Sequence, residues 1–365
     1  MINNYENKQR NITLDVAKGL AMILVVWLHA EGPFFALISR LTVPAFFMVS
    51  GYLYNSDNSF KKFFIRKVHT LYIPFVFWNV LASTLTAALG LIPYTLSEFI
   101  KHIVLIFLTV DKDGAVFGGS WFIASLFLIS VIFKFIDYVI VRRIVDKING
   151  KLSKFRPQFC VGINLIIFSL VALFASHVTL PFRMSRTFVL GFFYALGVIT
   201  KEIAKKRRNN RLSLNPVIIK YFIAIVAVGL YVSIASTCYT DLGFNVFENR
   251  GLYILEVICG SYVIYITSEL LGKITAVSKL LAYVGRHTID IVLWQFVFFR
   301  LVIMLQLYLY HEPLSMITQT YPTYDSSHGW WIVYTVVGVV LSLAFGAVLR
   351  KGPWGNILRK IHVVE

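Results

Sequence analysis

The sequence RNITLDVAKGLAMILVVWLHA, residues 10–30, contains a long apolar run that follows Arg10 and carries three ionisable side chains, Asp15, Lys18 and His29. A transmembrane helix needs about 20 predominantly apolar residues, and this run is long enough. An ionisable group inside such a helix is costly and by default marks a cavity, a partner or a reaction site. The charged residues also distinguish the run from the apolar core of a cleavable signal peptide. We therefore predict that it is retained as the first transmembrane helix.

The composition of the whole chain is that of an integral membrane protein. Of its 365 residues, 58% are hydrophobic and 15% are charged, whereas soluble domains carry about 25% charged residues. The predicted fold is all-α, a bundle of about ten transmembrane helices around a polar cavity. It forms a single membrane domain over 1–365 with no soluble domain. The ten apolar runs cover residues 12–31, 34–54, 70–91, 119–141, 159–177, 183–200, 217–237, 251–271, 287–309 and 330–349.

The distribution of basic residues predicts the orientation of these helices. The formal net charge is +17, which in a soluble protein would suggest nucleic acid binding. Here 25 of the 35 Lys and Arg residues fall on one side of the predicted bundle, in the N-terminus, the tail and loops 55–69, 142–158, 201–216 and 272–286. Positively charged loops stay in the cytoplasm. We therefore expect cytoplasmic N- and C-termini and no nucleic acid partner.

Two further features follow from spacing. Residues 92–118 contain an apolar run of only 13 residues, 98–110, which is too short to span a bilayer. We expect an extracytoplasmic or re-entrant loop there. The three cysteines, Cys160, Cys238 and Cys259, are scattered and show no metal-ligand spacing, so we predict neither a disulfide framework nor a metal site.

Lys18 and His29 are the strongest candidates for chemistry. They are 11 residues apart, which places them within about 20° of the same helix face and about 16 Å apart along the axis. A histidine can act as a general base near neutral pH, although a structural hydrogen bond between helices is the alternative. Lys18 could bind phosphate or serve as an interfacial anchor. Asp15 is three residues away and is expected to pair with Lys18.

This stretch resembles the opening of the acyltransferase 3 family of bacterial multi-pass membrane O-acyltransferases. The first span of that family carries a basic residue, ten residues and a histidine, a spacing that Lys18 and His29 match. Two positions depart from the family pattern: His69 stands where members commonly have an arginine, and Gln295 lies near a common histidine. The resemblance continues in LTVPAFFMVSGYLYN (41–55), FIRKVHTLYIPF (64–75), GGSWFIASLF (118–127) and LAYVGRHTIDIVLW (281–294).

The resemblance implies an enzyme of the bacterial inner membrane that moves an acyl group to a carbohydrate hydroxyl. Acetyl-CoA, or another acyl-CoA, would be the donor at the cytoplasmic face, with no metal. The acceptor would be a cell-surface or lipid-linked carbohydrate, and membrane lipid would surround the helices. A homo-oligomer is left open. His29, Lys18 and Asp15 are the predicted catalytic residues.

Several other residues are candidates for binding. Coenzyme A carries several phosphates, and the basic residues after the second apolar run could bind them. We assign Arg66, Lys67 and His69 to this role, together with Lys18. For the acceptor, the candidates are two arginines that the orientation of the loops does not explain, two aromatic residues and one serine. The serine could also carry an acyl group or simply pack between helices. These residues are Arg186, Arg300, Tyr52, Trp121 and Ser50.

Two other functions remain open at this level. A bundle with buried Lys, His, Asp and Arg could line the pathway of a transporter or flippase for a lipid-linked or polar solute. Inverted repeats with paired Gly or Pro interruptions would indicate such a protein, and we find none in the sequence. The chain could also be a catalytically degenerate subunit of a polysaccharide synthase, given His69 and Gln295.

Overall fold

Helices dominate the computed structural model, which describes residues 11–90, 94–109, 118–148, 156–209, 216–318 and 320–364. Among these residues, ten helical segments are long and apolar enough to cross a membrane, which confirms the predicted fold class. The elements are α1 (Ile12–His29), α2 (Phe35–Ser39), α3 (Thr42–Tyr52), α4 (Phe60–Lys67), α5 (Ile73–Ala88), α6 (Leu96–Leu108), α7 (Trp121–Phe135), α8 (Arg142–Ile148), α9 (Arg156–Ala175), α10 (Met184–Asn209), α11 (Pro216–Thr237), β1 (Thr240–Asp241), β2 (Val246–Phe247), α12 (Arg250–Leu271), α13 (Thr275–Arg286), α14 (Thr288–Leu309), α15 (Trp330–Lys351) and α16 (Pro353–Lys360).

The third spanning segment differs from the prediction. It was expected over 70–91, but α4 and α5 form one segment, Phe60–Ala88, joined by a π-helical turn at Val68–Tyr72. The helix starts early because the Ser59 side chain caps it, accepting a hydrogen bond from the Lys62 backbone N–H at 3.3 Å. Pro74 follows the π turn and has no N–H to continue a regular helical bond. The basic residues expected in a loop therefore lie on a helix.

Helix α13 was not foreseen, because it falls within a segment expected to be a loop. Its buried residues, including Ser278, Leu281 and Gly285, recur at helical spacing, whereas Lys279 and Arg286 are exposed. Such a pattern is typical of an amphipathic helix that packs one face against the protein. That face lies against α1.

Two glycines bring α1 and α13 into backbone contact. A Cβ atom added to Gly19 would lie 2.0 Å from the carbonyl oxygen of Leu281. One added to Gly285 would lie 1.8 Å from the carbonyl oxygen of Asp15. Small residues allow membrane helices to approach this closely, so the start of α1 is held at a fixed distance from α13.

A second glycine pair fixes α3 against α10. A Cβ on Gly51 would lie 1.9 Å from the carbonyl oxygen of Tyr194, and one on Gly197 would lie 2.0 Å from that of Met48. Helices α1 and α3 also pack against each other. The contacts of α1 with α13 and of α3 with α10 therefore fix the positions of the two helices that form the α1–α3 interface.

Several buried polar side chains beyond the end of α3 form a hydrogen-bonded network. Asp137 accepts hydrogen bonds from the Tyr54 hydroxyl at 2.6 Å and the Asn164 amide at 3.0 Å, and it pairs with Arg142 at 3.4 Å. Lys134, fully buried, donates to a backbone carbonyl at 3.0 Å. In a lipid environment such groups need partners within the protein, and this network explains Lys134 without a ligand.

The close contact between α1 and α13 predicts a sharp difference between two alanine substitutions. Gly19→Ala inserts a methyl group against backbone, which has no side-chain freedom to move away, and overpacking of this kind costs about 1–3 kcal/mol. Gly229→Ala, on lipid-facing α11 with nothing within 4 Å of the new Cβ, serves as the control. We expect only Gly19→Ala to lower the midpoint of thermal unfolding in detergent, followed by tryptophan fluorescence. Equal midpoints for Gly19→Ala and the wild type would contradict the contact.

Candidate active site

A small cavity of about 50 Å³ lies at the end of α1, between α1, α3, α7 and α14. We call it the His29 cavity. Apolar side chains from the four helices form most of its wall, and its residues with polar side-chain atoms are His29, Thr42, Trp121 and Gln295. Its volume exceeds what one water molecule requires. The cavity can therefore hold a small reacting group next to an imidazole.

His29 is held by a glutamine from α14. The Nδ1 atom of His29 lies 3.1 Å from Oε1 of Gln295, and the His29 ring also packs on Phe296, with 4.8 Å between ring centroids. An amide oxygen only accepts hydrogen bonds, so this contact is a hydrogen bond in the tautomer that has the proton on Nδ1. In that tautomer the lone pair is on Nε2, as a general base requires.

Gln295 is the residue whose role the sequence did not reveal. It is fully buried, and its Nε2 atom has no hydrogen-bond partner among the described residues. The sequence showed only a departure from a common histidine, and a separation of 266 positions along the chain between His29 and Gln295 concealed their contact.

Thr42, the first residue of α3, is a second polar group that sequence reasoning missed. It lines the His29 cavity, is fully buried, and its Oγ1 has no hydrogen-bond partner among the described residues. The signal in the sequence was weak, because a threonine at the start of an apolar block is common. Thr42 therefore adds a polar group to the wall of the cavity.

Trp121 and Arg186, both predicted to bind substrate, are in direct contact. Trp121 lines the His29 cavity. The Arg186 guanidinium lies 3.8 Å from the centroid of the Trp121 ring and the residue is 3% exposed. Stacking of a desolvated guanidinium on tryptophan is worth up to about 2 kcal/mol. The structure therefore brings these two candidates together with His29.

Lys18 and Asp15 lie at the other end of α1. Their side chains form the expected pair, with 3.0 Å between Nζ and Oδ1. Neither residue lines the His29 cavity, and the helical rise separates Lys18 from His29 by about 16 Å. Both are therefore remote from the imidazole.

The basic residues of α4 border a groove on the protein surface. The groove has a volume of about 590 Å³ and is lined by Ser59, Lys61, Lys62, Ile65, Arg66, His69 and Thr70. We call it the α4 groove. It contains two of the predicted donor-binding residues, Arg66 and His69. Lys67 does not line it, because its Nζ lies over the ring of Phe63 at 5.6 Å, on another face of the helix.

His69 has a partner that the sequence did not suggest. Its ring stacks on that of His362, beyond α16, with 3.7 Å between centroids and 6° between planes. The contact ties the C-terminal segment to the edge of the α4 groove.

A second cavity, of about 360 Å³, lies between α1, α3, α10 and α12. Tyr52, predicted to bind substrate, lines it together with Tyr262 and Tyr265, whereas most of the remaining wall is apolar. Ser50 is half-buried and lines neither this cavity nor the His29 cavity. It is eight residues from Thr42, or about 12 Å along the helix.

The Arg300 side chain binds the loop that follows α14 and does not line the His29 cavity. Its Nη1 donates hydrogen bonds to the carbonyl oxygens of Ile317 and Thr320. Asp290, ten residues before Arg300 on α14, pairs with Arg350 of α15 at 2.7 Å. Ten residues of helix separate Asp290 and Arg300 by about 15 Å, too far for an ion pair.

A family model described as an acyltransferase domain matches residues 11–350. The chain belongs to the acyltransferase 3 family. Ten helical segments of its described part are long and apolar enough to cross a membrane, so it is a membrane acyltransferase. The acyltransferase 3 match extends from α1 into α15 and includes all residues of the His29 cavity, whereas α16 and His362 lie beyond its end. No curated protein and no solved structure matches the chain significantly.

Proposed function

We propose that this protein is an O-acyltransferase of the bacterial inner membrane. It would move an acyl group, acetyl from acetyl-CoA, to a hydroxyl of a cell-surface or lipid-linked carbohydrate. The observation that carries the proposal is the imidazole of His29, held through Nδ1 at a cavity in a chain of an acyltransferase family. A base with a free Nε2 is what an attacking hydroxyl needs.

The reaction can be written as direct transfer. His29 Nε2 takes the proton of the acceptor hydroxyl while the hydroxyl oxygen attacks the thioester carbonyl carbon. The carbonyl π electrons move to oxygen, and this oxyanion needs a donor to stabilise it. When the oxyanion collapses, the C–S bond breaks and the leaving thiolate of coenzyme A takes the proton back from His29. An acyl-enzyme on Ser50 is unsupported, because that residue does not line the His29 cavity.

The α4 groove suits the phosphates of the donor. Lys61, Lys62 and Arg66 line one open surface, and arginine in particular binds phosphate through paired hydrogen bonds. The same groups lie on the predicted cytoplasmic side, where acyl-CoA is present. Plain orientation of the helices by positive charge would explain their presence without a ligand, so the binding role needs a direct test.

The two cavities support a path between the donor side and His29. Leu14 and Ala17 of α1 line the larger cavity, and Val25 and Leu28 of the same helix line the His29 cavity. These positions recur at helical spacing, so they share one face of α1. We propose that the pantetheine arm of the donor follows this face along the α1–α3 interface.

The acceptor would meet His29 from the other side of the membrane. Trp121 offers an aromatic face in the His29 cavity, and Arg186 behind it keeps a positive charge close to the site. The end of α1 that carries His29 lies towards the predicted extracytoplasmic side. This placement favours a cell-surface or lipid-linked carbohydrate over a soluble cytoplasmic sugar.

Loss of the base should abolish transfer without unfolding the protein. In inside-out membrane vesicles that contain the native acceptors, we expect His29→Ala to lower incorporation of radiolabelled acetyl groups from acetyl-CoA by about 10²–10⁴-fold. His177→Ala, at an exposed histidine beyond the end of α9, is the matched control and should retain wild-type incorporation. Turnover by His29→Ala at the wild-type rate would refute the base assignment.

Donor binding should depend on the α4 groove and on salt. We expect Arg66→Ala to weaken acetyl-CoA binding to the detergent-purified protein about tenfold, equivalent to about 1.4 kcal/mol, in calorimetry at low ionic strength. The difference should shrink at high salt, which screens exposed charges. Lys205→Ala removes a cation that is already paired with Glu202 at 2.5 Å and should bind like the wild type. Identical affinities for all three proteins would exclude the groove as the phosphate site.

A further inference from the structure

One half of the Gln295 amide has no hydrogen-bond partner within the described part of the chain. Its Oε1 accepts from His29, but its Nε2, which carries two N–H donors, is buried and unpaired. Buried donors almost always have partners, so an unpaired one requires an explanation. The residue is fully buried, so bulk solvent does not satisfy it.

The unpaired nitrogen belongs to a residue that lines the His29 cavity. Gly119, another lining residue, lies next to it: a Cβ on Gly119 would be 3.3 Å from Gln295 Nε2. A side chain at that position would crowd the amide, and glycine leaves it open. Gly119 therefore places no side chain over this nitrogen, which belongs to the wall of the cavity in which His29 would act.

Another glutamine of the same helix shows the ordinary arrangement. Gln306 is also fully buried, but both ends of its amide have partners. Its Nε2 donates to the Asp325 carbonyl oxygen at 2.7 Å, and its Oε1 accepts from the Tyr334 hydroxyl at 2.5 Å. Both ends of the Gln306 amide thus stabilise the fold, whereas the amide nitrogen of Gln295 has no partner among the described residues.

We propose that Gln295 has two roles in acyl transfer: its Oε1 positions His29, and its Nε2 donates a hydrogen bond to the oxyanion of the tetrahedral intermediate. This inference rests on the proposed function and supplies the donor which that mechanism lacks. As the hydroxyl oxygen bonds to the thioester carbon, the carbonyl oxygen gains the π electron pair, and the amide N–H stabilises the new negative charge. When the C–S bond breaks, the pair returns to the carbonyl and the hydrogen bond weakens.

The other polar residues near the cavity are less suited to this role. Arg186 does not line the His29 cavity, and its guanidinium lies over the Trp121 ring. Thr42 does line it, but a hydroxyl has one donor and no link to the base. Gln295 alone among these three contacts His29 directly, so it can couple the position of the base to that of the oxyanion.

The test uses the full-length protein in the same vesicles, with acetyl-CoA as the varied donor. Gln295→Met keeps the size of the side chain but removes both the acceptor and the donor. We expect kcat to fall about 10³-fold, since one oxyanion donor is worth about 10²–10³ in kcat, with the KM for acetyl-CoA unchanged. Gln306→Met is the matched control: it removes the other buried glutamine of α14 and should lower thermal stability while leaving kcat near the wild-type value.

Two further variants separate the two roles. Gln295→Glu keeps an acceptor for His29 Nδ1 but has no N–H. We expect kcat to fall and the acid limb of the pH–rate profile to move to higher pH, because a carboxylate beside the ring stabilises the imidazolium, which is not a base. Gly119→Ala crowds Nε2 without touching the His29 contact and should lower kcat about tenfold with no shift in the profile. A purely structural role of Gln295 would not move the profile.

The outcomes distinguish this inference from the proposed function. If wild-type vesicles transfer acetyl groups and need His29, but Gln295→Met turns over like the wild type, the inference is overturned and the proposed function stands. If Gln295→Met does not fold, wild-type kcat in both Gly119→Ala and Gln295→Glu overturns it instead. If wild-type vesicles transfer nothing from acetyl-CoA above the His29→Ala background, the proposed function fails and the inference falls with it.

Discussion

The surrounding lipid imposes the constraint on which this structure depends: a polar group inside the bundle has to find its partner in the protein. Asp137, between α7 and α8, holds a tyrosine, an asparagine and an arginine. Arg300 bonds to backbone carbonyls. The wall of the His29 cavity also contains two polar groups, Gln295 Nε2 and Thr42 Oγ1, that have no partner among the described residues. In the proposed mechanism the first of them donates to the oxyanion.

The geometry of the cavity follows from backbone packing far from it. Gly19 lets α1 touch α13, and Gly51 lets α3 touch α10. Because α1 and α3 are rigid helices, contacts near the Lys18 end of α1 determine how the helices meet at His29. A change at either glycine would therefore alter a reacting geometry several helical turns away, and misplacement by 1 Å can cost a large factor in rate.

The sequence predicted those features that depend on residues close to one another along the chain. Hydropathy located the ten spanning segments, and the helical period brought Asp15 and Lys18 together. The family resemblance was confirmed. Contacts between distant segments were beyond such reasoning. The pairing of His29 with Gln295 and the stacking of His69 on His362 join opposite ends of the chain, and no periodicity connects them.

Side-chain direction was the other element that sequence could not supply. Lys67 was assigned the same binding role as Arg66, but adjacent residues on a helix point about 100° apart, and Lys67 lies over Phe63. Arg300 was recognised as unusual, and it proved to bond to a loop that folds back over α14. A costly buried charge in a span thus indicates that a partner exists, but it does not identify that partner.

The hydrogen bond between His29 and Gln295 is the central claim, and the protonation of the imidazole tests it most directly. Nitrogen NMR of the protein labelled with ¹⁵N-histidine, with the His29 signals assigned by their loss in His29→Ala, reports which ring nitrogen carries the proton. We predict the neutral form with the proton on Nδ1 and a bare Nε2, and a mixed or altered tautomer in Gln295→Met. A proton on Nε2 in the wild-type protein would contradict both the contact and the role of His29 as a base.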